Sequence, residues 1–118
     1  MAKSPTAGRL RERVAFDRRF ELDDGYGNVQ SGDFEQQFEC AAEFRPKGGS
    51  EAVIAARREG KNVFGVYIRS SIQSRQLTSD WRMRRLRQSP EEVFAIDVVD
   101  AFSDRAWVYL EVTSGVAP

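Results

Sequence analysis

The chain is predicted to be mainly β: a small six-stranded antiparallel β-barrel with one short helix inserted between the second and third strands. Three observations predict this. Apolar residues recur at every second position in several short stretches, the spacing of a strand with one face on a core. Clusters of Gly, Asn, Asp and Pro separate those stretches and turn the chain. A single segment, residues 50–60, carries the end signals of a helix. Hydrophobic residues make up 41% of the 118 positions and charged residues 31%, enough apolar side chains for one barrel core and too many for wholesale disorder. One domain over residues 1–118 is expected, with residues 1–7 and 114–118 frayed. Closing the sheet removes its exposed edges.

The first strand is read over residues 10–20, where Leu10, Glu12, Val14, Phe16, Arg18 and Phe20 alternate with mostly Arg and Asp, Ala15 being the apolar exception. Asp23, Asp24, Gly25, Gly27 and Asn28 tolerate left-handed backbone angles or bond their own main chain, so they turn the chain. The second strand, residues 34–46, sets Phe34, Phe38, Cys40, Ala42 and Phe44 on one side and Glu35, Gln37, Glu39 and Glu43 on the other. Pro46 removes a ladder donor and Gly48-Gly49 frees the backbone, which ends the sheet. Ser50 then caps a helix of about two to three turns, with Glu51 at its positive end, Arg57 and Arg58 at its negative end and Gly60 as its stop. So short a helix is marginal alone, and Ala52, Val53 and Ala56 are expected to lean on the barrel or on a neighbouring subunit.

Residues 63–70 alternate Phe64, Val66 and Ile68 against Val63, Tyr67 and Arg69, both sides partly apolar, as in a strand covered on two faces. After the polar stretch 71–80, residues 81–87 turn Trp81 and Met83 inward while Arg84, Arg85 and Arg87 crowd the remainder. Beyond the Ser89-Pro90 turn, Phe94, Ile96 and Val98 alternate; residues 102–105 loop, and 107–113 form the last strand.

The absence of histidine removes the usual neutral-pH proton shuttle and the commonest metal ligand. Asp23, Asp24 and Asn28 lack the ligand spacing and terminal glutamate of an EF-hand and read as a solvated turn. Asp97, Asp100 and Asp104 read as surface carboxylates flanking a core strand, with Asp97 and Asp100 on opposite sides of it. Gly48-Gly49 lacks the lysine and spacing of a nucleotide loop. No catalytic residue, metal or cofactor is therefore expected, and the protein is not expected to be an enzyme. Cys40 cannot form an internal disulfide and reads as a small buried hydrophobe. No apolar run approaches the roughly 20 residues of a membrane helix, and the amino terminus lacks the apolar stretch of a secretory signal. Synthesis in a cytoplasm and no membrane partner are expected.

The net charge of zero conceals four blocks: residues 1–20 carry +4, 21–56 carry −6, 57–87 carry +7 and 88–118 carry −5. Segregated charge suits a molecule that meets copies of itself, positive flank against negative flank. Antiparallel strands that bring the blocks together within one subunit account for it equally well. Arg82, Arg84, Arg85 and Arg87 beside Trp81 stay open to three readings: a subunit or partner interface, a single-strand nucleic-acid groove in which the indole stacks on a base, or a solvated face.

Order and spacing add a further reading. Gly8-Arg9-Leu10-Arg11-Glu12-Arg13-Val14, the basic pair Arg18 and Arg19, Asp24-Gly25-Tyr26-Gly27-Asn28, and Ala42-Glu43-Phe44-Arg45-Pro46 ahead of Gly48-Gly49-Ser50-Glu51 form a block that resembles the opening hairpin of phage head-tail adaptor proteins. The likeness continues through Thr78-Ser79-Asp80-Trp81-Arg82-Met83 and covers nearly the whole chain. The resemblance implies a head-tail joining protein, of the head closure or stopper kind. Such a protein is a virion connector made in the cytoplasm of a bacterial host, in a tailed phage, a prophage or a phage-like particle. It implies a homo-oligomeric ring with a portal or adaptor protein on the head side and a tail terminator or tail tube protein on the tail side. The ring closes the head after packaging and offers the tail its docking surface. It also implies that the segment after the second strand projects into the channel, making Lys47, Arg57, Arg58 and Lys61 the candidates for non-specific contact with packaged double-stranded DNA. Plugging one end of the barrel through Val53 and Ala56 is the alternative for that helix. Arg9, Arg11 and Arg13, the basic face of the first strand, become interface candidates by the same inference. A free-standing nucleic-acid-binding barrel and a tail-completion protein are the alternative functions.

Overall fold

Six strands close on themselves in the computed structural model, which describes residues 7–23, 25–27, 29–47, 50–87 and 91–115. The Asp24 and Asn28 parts of the first turn, the Gly48-Gly49 break, the Ser89-Pro90 turn and residues 1–6 and 116–118 of the expected frayed ends lie outside the described residues. The strands are β1 (Glu12–Asp23), β2 (Val29–Pro46), β3 (Asn62–Arg69), β4 (Arg82–Arg85), β5 (Glu92–Asp100) and β6 (Trp107–Ser114), with helix α1 (Glu51–Arg58) between β2 and β3. Around the barrel they run β1-β2-β3-β6-β5-β4, and β4 returns to β1, each pairing antiparallel. The fold class read from the sequence is the one observed.

Period-two alternation builds the core. Val108, Leu110 and Val112 of β6 face Val66 and Ile68 of β3, all fully buried, with Val14, Met83 and Ile96 beside them. Aromatic rings close both ends. Phe44, Phe64 and Phe94 meet edge to face with centroids 5.6 to 5.9 Å apart at one end, and Phe16, Phe38 and Trp81 group at the other. The first end also carries residues 7–11 and the start of β3; the second carries the β1–β2 hairpin and the β3–β4 and β5–β6 loops. On the outer wall, Gly65 has no side chain because the Tyr109 ring lies over it: a Cβ there would sit 2.7 Å from the Tyr109 hydroxyl.

Bulges correct three sequence expectations. Phe16 pairs with Phe38 but Asp17 pairs with Gln36, so Gln37 is an extra residue in β2. Past it the facing inverts, as a bulge requires. Phe34, expected on the core side with Phe38, is turned to the outer wall, where the Arg19 and Arg82 guanidiniums lie 4.2 and 4.4 Å from its ring centre. A second irregularity, between Ile96 and Val98 of β5, turns Val98 outward to 44% exposure and lets Val99 pack on the core instead. It also places Asp100, opposite Tyr109, on the outer face that Asp97 shares, where Asp97 accepts from the Thr113 hydroxyl. The two carboxylates are therefore not on opposite sides. The last strand reaches Ser114, buried between Asn62 and Phe94 although expected in a fraying tail, and Ala7 already begins a short 3-10 turn at the other terminus.

Strand β4 closes the barrel with only four residues, and its outward side chains explain how. Met83 points into the core while Arg82 and Arg84 lie across the outside of β1 and clamp Asp17: Arg82 Nε to Oδ2 is 2.6 Å, Arg84 Nε to Oδ2 is 2.8 Å, and Arg84 Nη2 to Oδ1 is 3.0 Å. Under them Asp17 is 1% exposed and Ala15 fully buried, so β1 is covered on both faces at residues 14–17. Removing the buried carboxylate takes the ion-pair partner from Arg82 and leaves Arg84 with Glu91, which costs about 3 kcal/mol. Asp17→Ala is expected to lower stability by about that much in urea unfolding, whereas the exposed Asp33→Ala stays within about 0.5 kcal/mol of the parent.

Candidate functional site

Two groups of side chains predicted to meet partners lie near one end of the barrel. The first belongs to α1. Ser50 accepts from the Val53 amide at 3.2 Å and starts the helix; Gly60, at φ +82°, lets the Lys61 amide turn back to the Ala56 carbonyl at 2.8 Å and stops it. Val53 is the one buried α1 side chain. It lines one hollow of the outer wall with Val63 and Thr113 and stands outside the core cluster, so the helix flanks the barrel and does not plug it. Ala52, expected to lean inward, is exposed.

The helix cations differ in how firmly they are held. Lys47 forms an ion pair with Glu111 of β6, and that hydrogen bond raises its pKa. Arg57 donates to the Lys47 carbonyl at 3.1 Å, and Lys61 pairs with Glu59 at 3.2 Å. Arg58 has no ion pair among the described residues. Among the described residues, the segment is fastened to the wall by Val53, the Lys47–Glu111 pair and the bond from the Lys47 amide to the Val63 carbonyl.

The second group surrounds the barrel mouth. Arg9, Arg11, Glu12, Phe44, Phe64 and Arg85 line an open cavity of about 580 Å³ whose floor is the Phe44–Phe64 aromatic pair. Arg85 reaches over the Phe44 ring at 4.7 Å and forks onto Glu12, with bonds of 2.8 and 3.1 Å. Arg9 and Arg11 have no carboxylate partner among the described residues. Arg13 reaches Glu39 at 3.7 Å, with both side chains exposed, a pair worth little.

The arginine tract is drawn inward more than the sequence indicated. Arg82 and Arg84 hold Asp17, Arg84 also meets Glu91 at 2.8 Å and Gln36 at 2.6 Å, and Arg85 meets Glu12 and Glu92; Arg87 donates to the Arg11 carbonyl at 3.0 Å. Trp81 is 4% exposed and packs on Phe38, so its ring is not free to stack on a base. The charge blocks accordingly meet within one subunit: Asp17 and Glu12 of the first meet arginines of the third, which also meet Glu91 and Glu92 of the fourth. Cys40, beside the core, has its thiol pushed up to about 11 by burial. Asp100 accepts from the Phe102 and Ser103 amides and the Ser103 hydroxyl, which hold its pKa down, and Asp104 accepts from the Ala106 amide. These carboxylates shape their own loop.

A family model for the phage head completion protein matches residues 5–115. The chain belongs to that family. The family is of structural phage proteins and not of enzymes, which makes this barrel a virion component with a structural role at the head-tail junction, in contact with other virion proteins. Solved structures share the fold at low identity. Protein SF1141 from Shigella flexneri 2a, solved in solution, superposes with a TM-score of 0.69 at 17% identity, over 97% of this chain and 100% of that one. A chain in the virion of a native gene transfer agent particle superposes with a TM-score of 0.57 at 18% identity, over 91% of this chain and 96% of that one. No curated protein matches the sequence. For this head completion protein, reading the sequence missed Glu12 and Asp17 as anchors of the arginine tract. The signal was present: Asp17 directly follows the apolar run 14–16.

Glu12 gives the mouth a pH dependence. Its hydrogen bond from Arg85 holds its pKa below the ordinary 4.5, so the fold favours the ionised form. That contribution is complete above the unfolded-state pKa and is lost as pH falls through the lower folded-state value. The stability gap between the parent and Glu12→Gln in urea is expected to be constant from pH 7 to about 5.5 and to shrink below about 4.5.

Proposed function

We propose that the protein is the connector ring between the portal or its adaptor and the tail, closing the head after DNA packaging and giving the tail terminator or tail tube its docking surface. The observation that carries this reading is family membership across residues 5–115, on a barrel that completes its core without α1. A ring subunit needs a rigid body and a segment free to act. The barrel supplies the first as a single unit, and the loosely fastened segment 46–61 supplies the second. The likeness to a chain of a gene transfer agent virion supports a place in a particle.

In this reading Lys47, Arg57, Arg58 and Lys61 face the channel and hold the packaged duplex by phosphate attraction, which reads no sequence. Release of Val53 and of the Lys47–Glu111 pair moves the segment between the wall and the channel. Arg9, Arg11 and Arg13 meet the next subunit or a partner, since the first two have no carboxylate partner among the described residues.

The test is deletion of the gene with complementation. Without the protein, filled heads are expected to lose DNA and to lie beside finished, unattached tails. Unfinished tails beside stable heads would instead assign tail completion, and tailed infectious particles would end the proposal. Complementing with Arg57→Gln/Arg58→Gln is expected to restore joining but to lower DNA retention several-fold. Charge reversal at Arg11 and Arg13 is expected to reduce joined particles while leaving the urea midpoint within about 0.5 kcal/mol of the parent; unchanged joining would remove these arginines from the interface.

A further inference from the structure

Besides Tyr26 of the β1–β2 hairpin, the end of the barrel opposite the aromatic mouth displays two large apolar side chains to solvent: Phe102 is 92% exposed and Ile72 is 84% exposed. Scattered exposed apolar residues are ordinary on a surface. These two stand on loops that are fastened together. Arg75 bonds the Ser70 hydroxyl at 2.8 Å and crosses to the Ala101 carbonyl at 3.0 Å, while Asp100 fixes the Phe102 and Ser103 amides, each at 3.0 Å. Phe102 is therefore a positioned knob with carboxylates at Asp100 and Asp104 on either side.

The mouth offers the complement. Its lining includes the Phe44–Phe64 pair, and its volume exceeds that of a phenyl side chain several times over; Glu12 and Glu43 also line it but are held by Arg85 and Arg45, whereas Arg9 and Arg11 have no carboxylate partners among the described residues. Knob and mouth differ in shape and in charge, and they lie at opposite ends of the strands. A subunit with two unlike, complementary surfaces joins its copies head to tail, and such contacts close into a ring when the rotation between copies permits.

We propose that Phe102 of one copy seats in the Phe44–Phe64 mouth of the next, with Asp100 and Asp104 against Arg9 and Arg11, and that this contact joins the subunits. The proposal rests on the ring reading and names its interface. Phe102 is the anchor, enclosed by aromatic walls and excluding water from the charged rim.

Two variants test it in complemented particles. Phe102→Ala removes an exposed side chain, so its urea midpoint is expected to match the parent, while the yield of joined particles falls roughly thirtyfold, the loss typical of a central aromatic anchor. The second places Arg9→Cys and Phe102→Cys in a Cys40→Ala background. Within one chain, strand β6 of eight residues at roughly 3.3 Å each separates the two ends, beyond the roughly 7 Å that a disulfide spans between Cα atoms. Any disulfide is therefore between copies, and oxidised particles are expected to yield a ladder of covalent oligomers of this chain. If neck images show a ring but no ladder forms, if Phe102→Ala joins at the parental level, or if the cysteine at 102 couples to a portal or tail protein, this contact is wrong and the ring reading stands. If no ring is present in the neck, both are overturned.

Discussion

Closing a six-stranded sheet into a tube requires the last edge to find the first, and here the strand that does so is the shortest. Strand β4 offers four residues, of which Met83 is the one fully buried hydrophobe. Main-chain bonds from so few residues give little hold, and a sheet left open there would expose the inner faces of β1 and β5. Asp17 supplies the rest. Its carboxylate draws Arg82 and Arg84 flat over the outside of β1, burying Ala15 beneath them, while Arg85 reaches back to Glu12 at the mouth. The arginine stems act as hydrophobic cover and their heads as clasps. A tract that suggests phosphate binding in one dimension is, in three, the seam of the barrel.

That seam decides what is left for assembly. The tract and the acids of its neighbours neutralise one another within the subunit, so the alternating blocks along the chain do not become alternating patches on the surface. Among the described residues, those whose charge has no ion-pair partner include Arg9 and Arg11 at the mouth rim and Arg58 on the helix. Apolar surface survives mainly at the opposite end, on Phe102 and Ile72. Folding thus sorts the side chains into those that hold the barrel and those that remain available, and the available ones include groups at its ends and on its helix.

The alternation in β3, β6 and the first half of β5 was legible because period two is rigid wherever one face is buried. The helix was legible for the same kind of local reason: Ser50, Glu51, the terminal arginines and Gly60 specify both ends without reference to anything else. What escaped was non-local. The extra residue Gln37 inverts the facing of Phe34, and the irregularity after Ile96 exposes Val98, because a bulge is set by the partner strand's register and leaves no mark in its own composition. The anchoring role of Asp17 escaped likewise, since its arginines lie 65 and 67 positions away along the chain. At the candidate site, the basic residues were visible as a set, but which were free depended on pairs that only the closed sheet creates.

The position of α1 follows from the same division. A helix of eight residues has too few internal bonds to persist alone, so it takes the conformation that its environment favours. Had Val53 entered the core, moving the helix would have opened the barrel and the two events would have been coupled in free energy. Because Val53 stands outside the core cluster, and Phe44, Phe64 and Phe94 close that end of the interior, the core is complete without the helix. In the connector proposed above, this segment is the moving part, and its displacement leaves the fold that carries it in place.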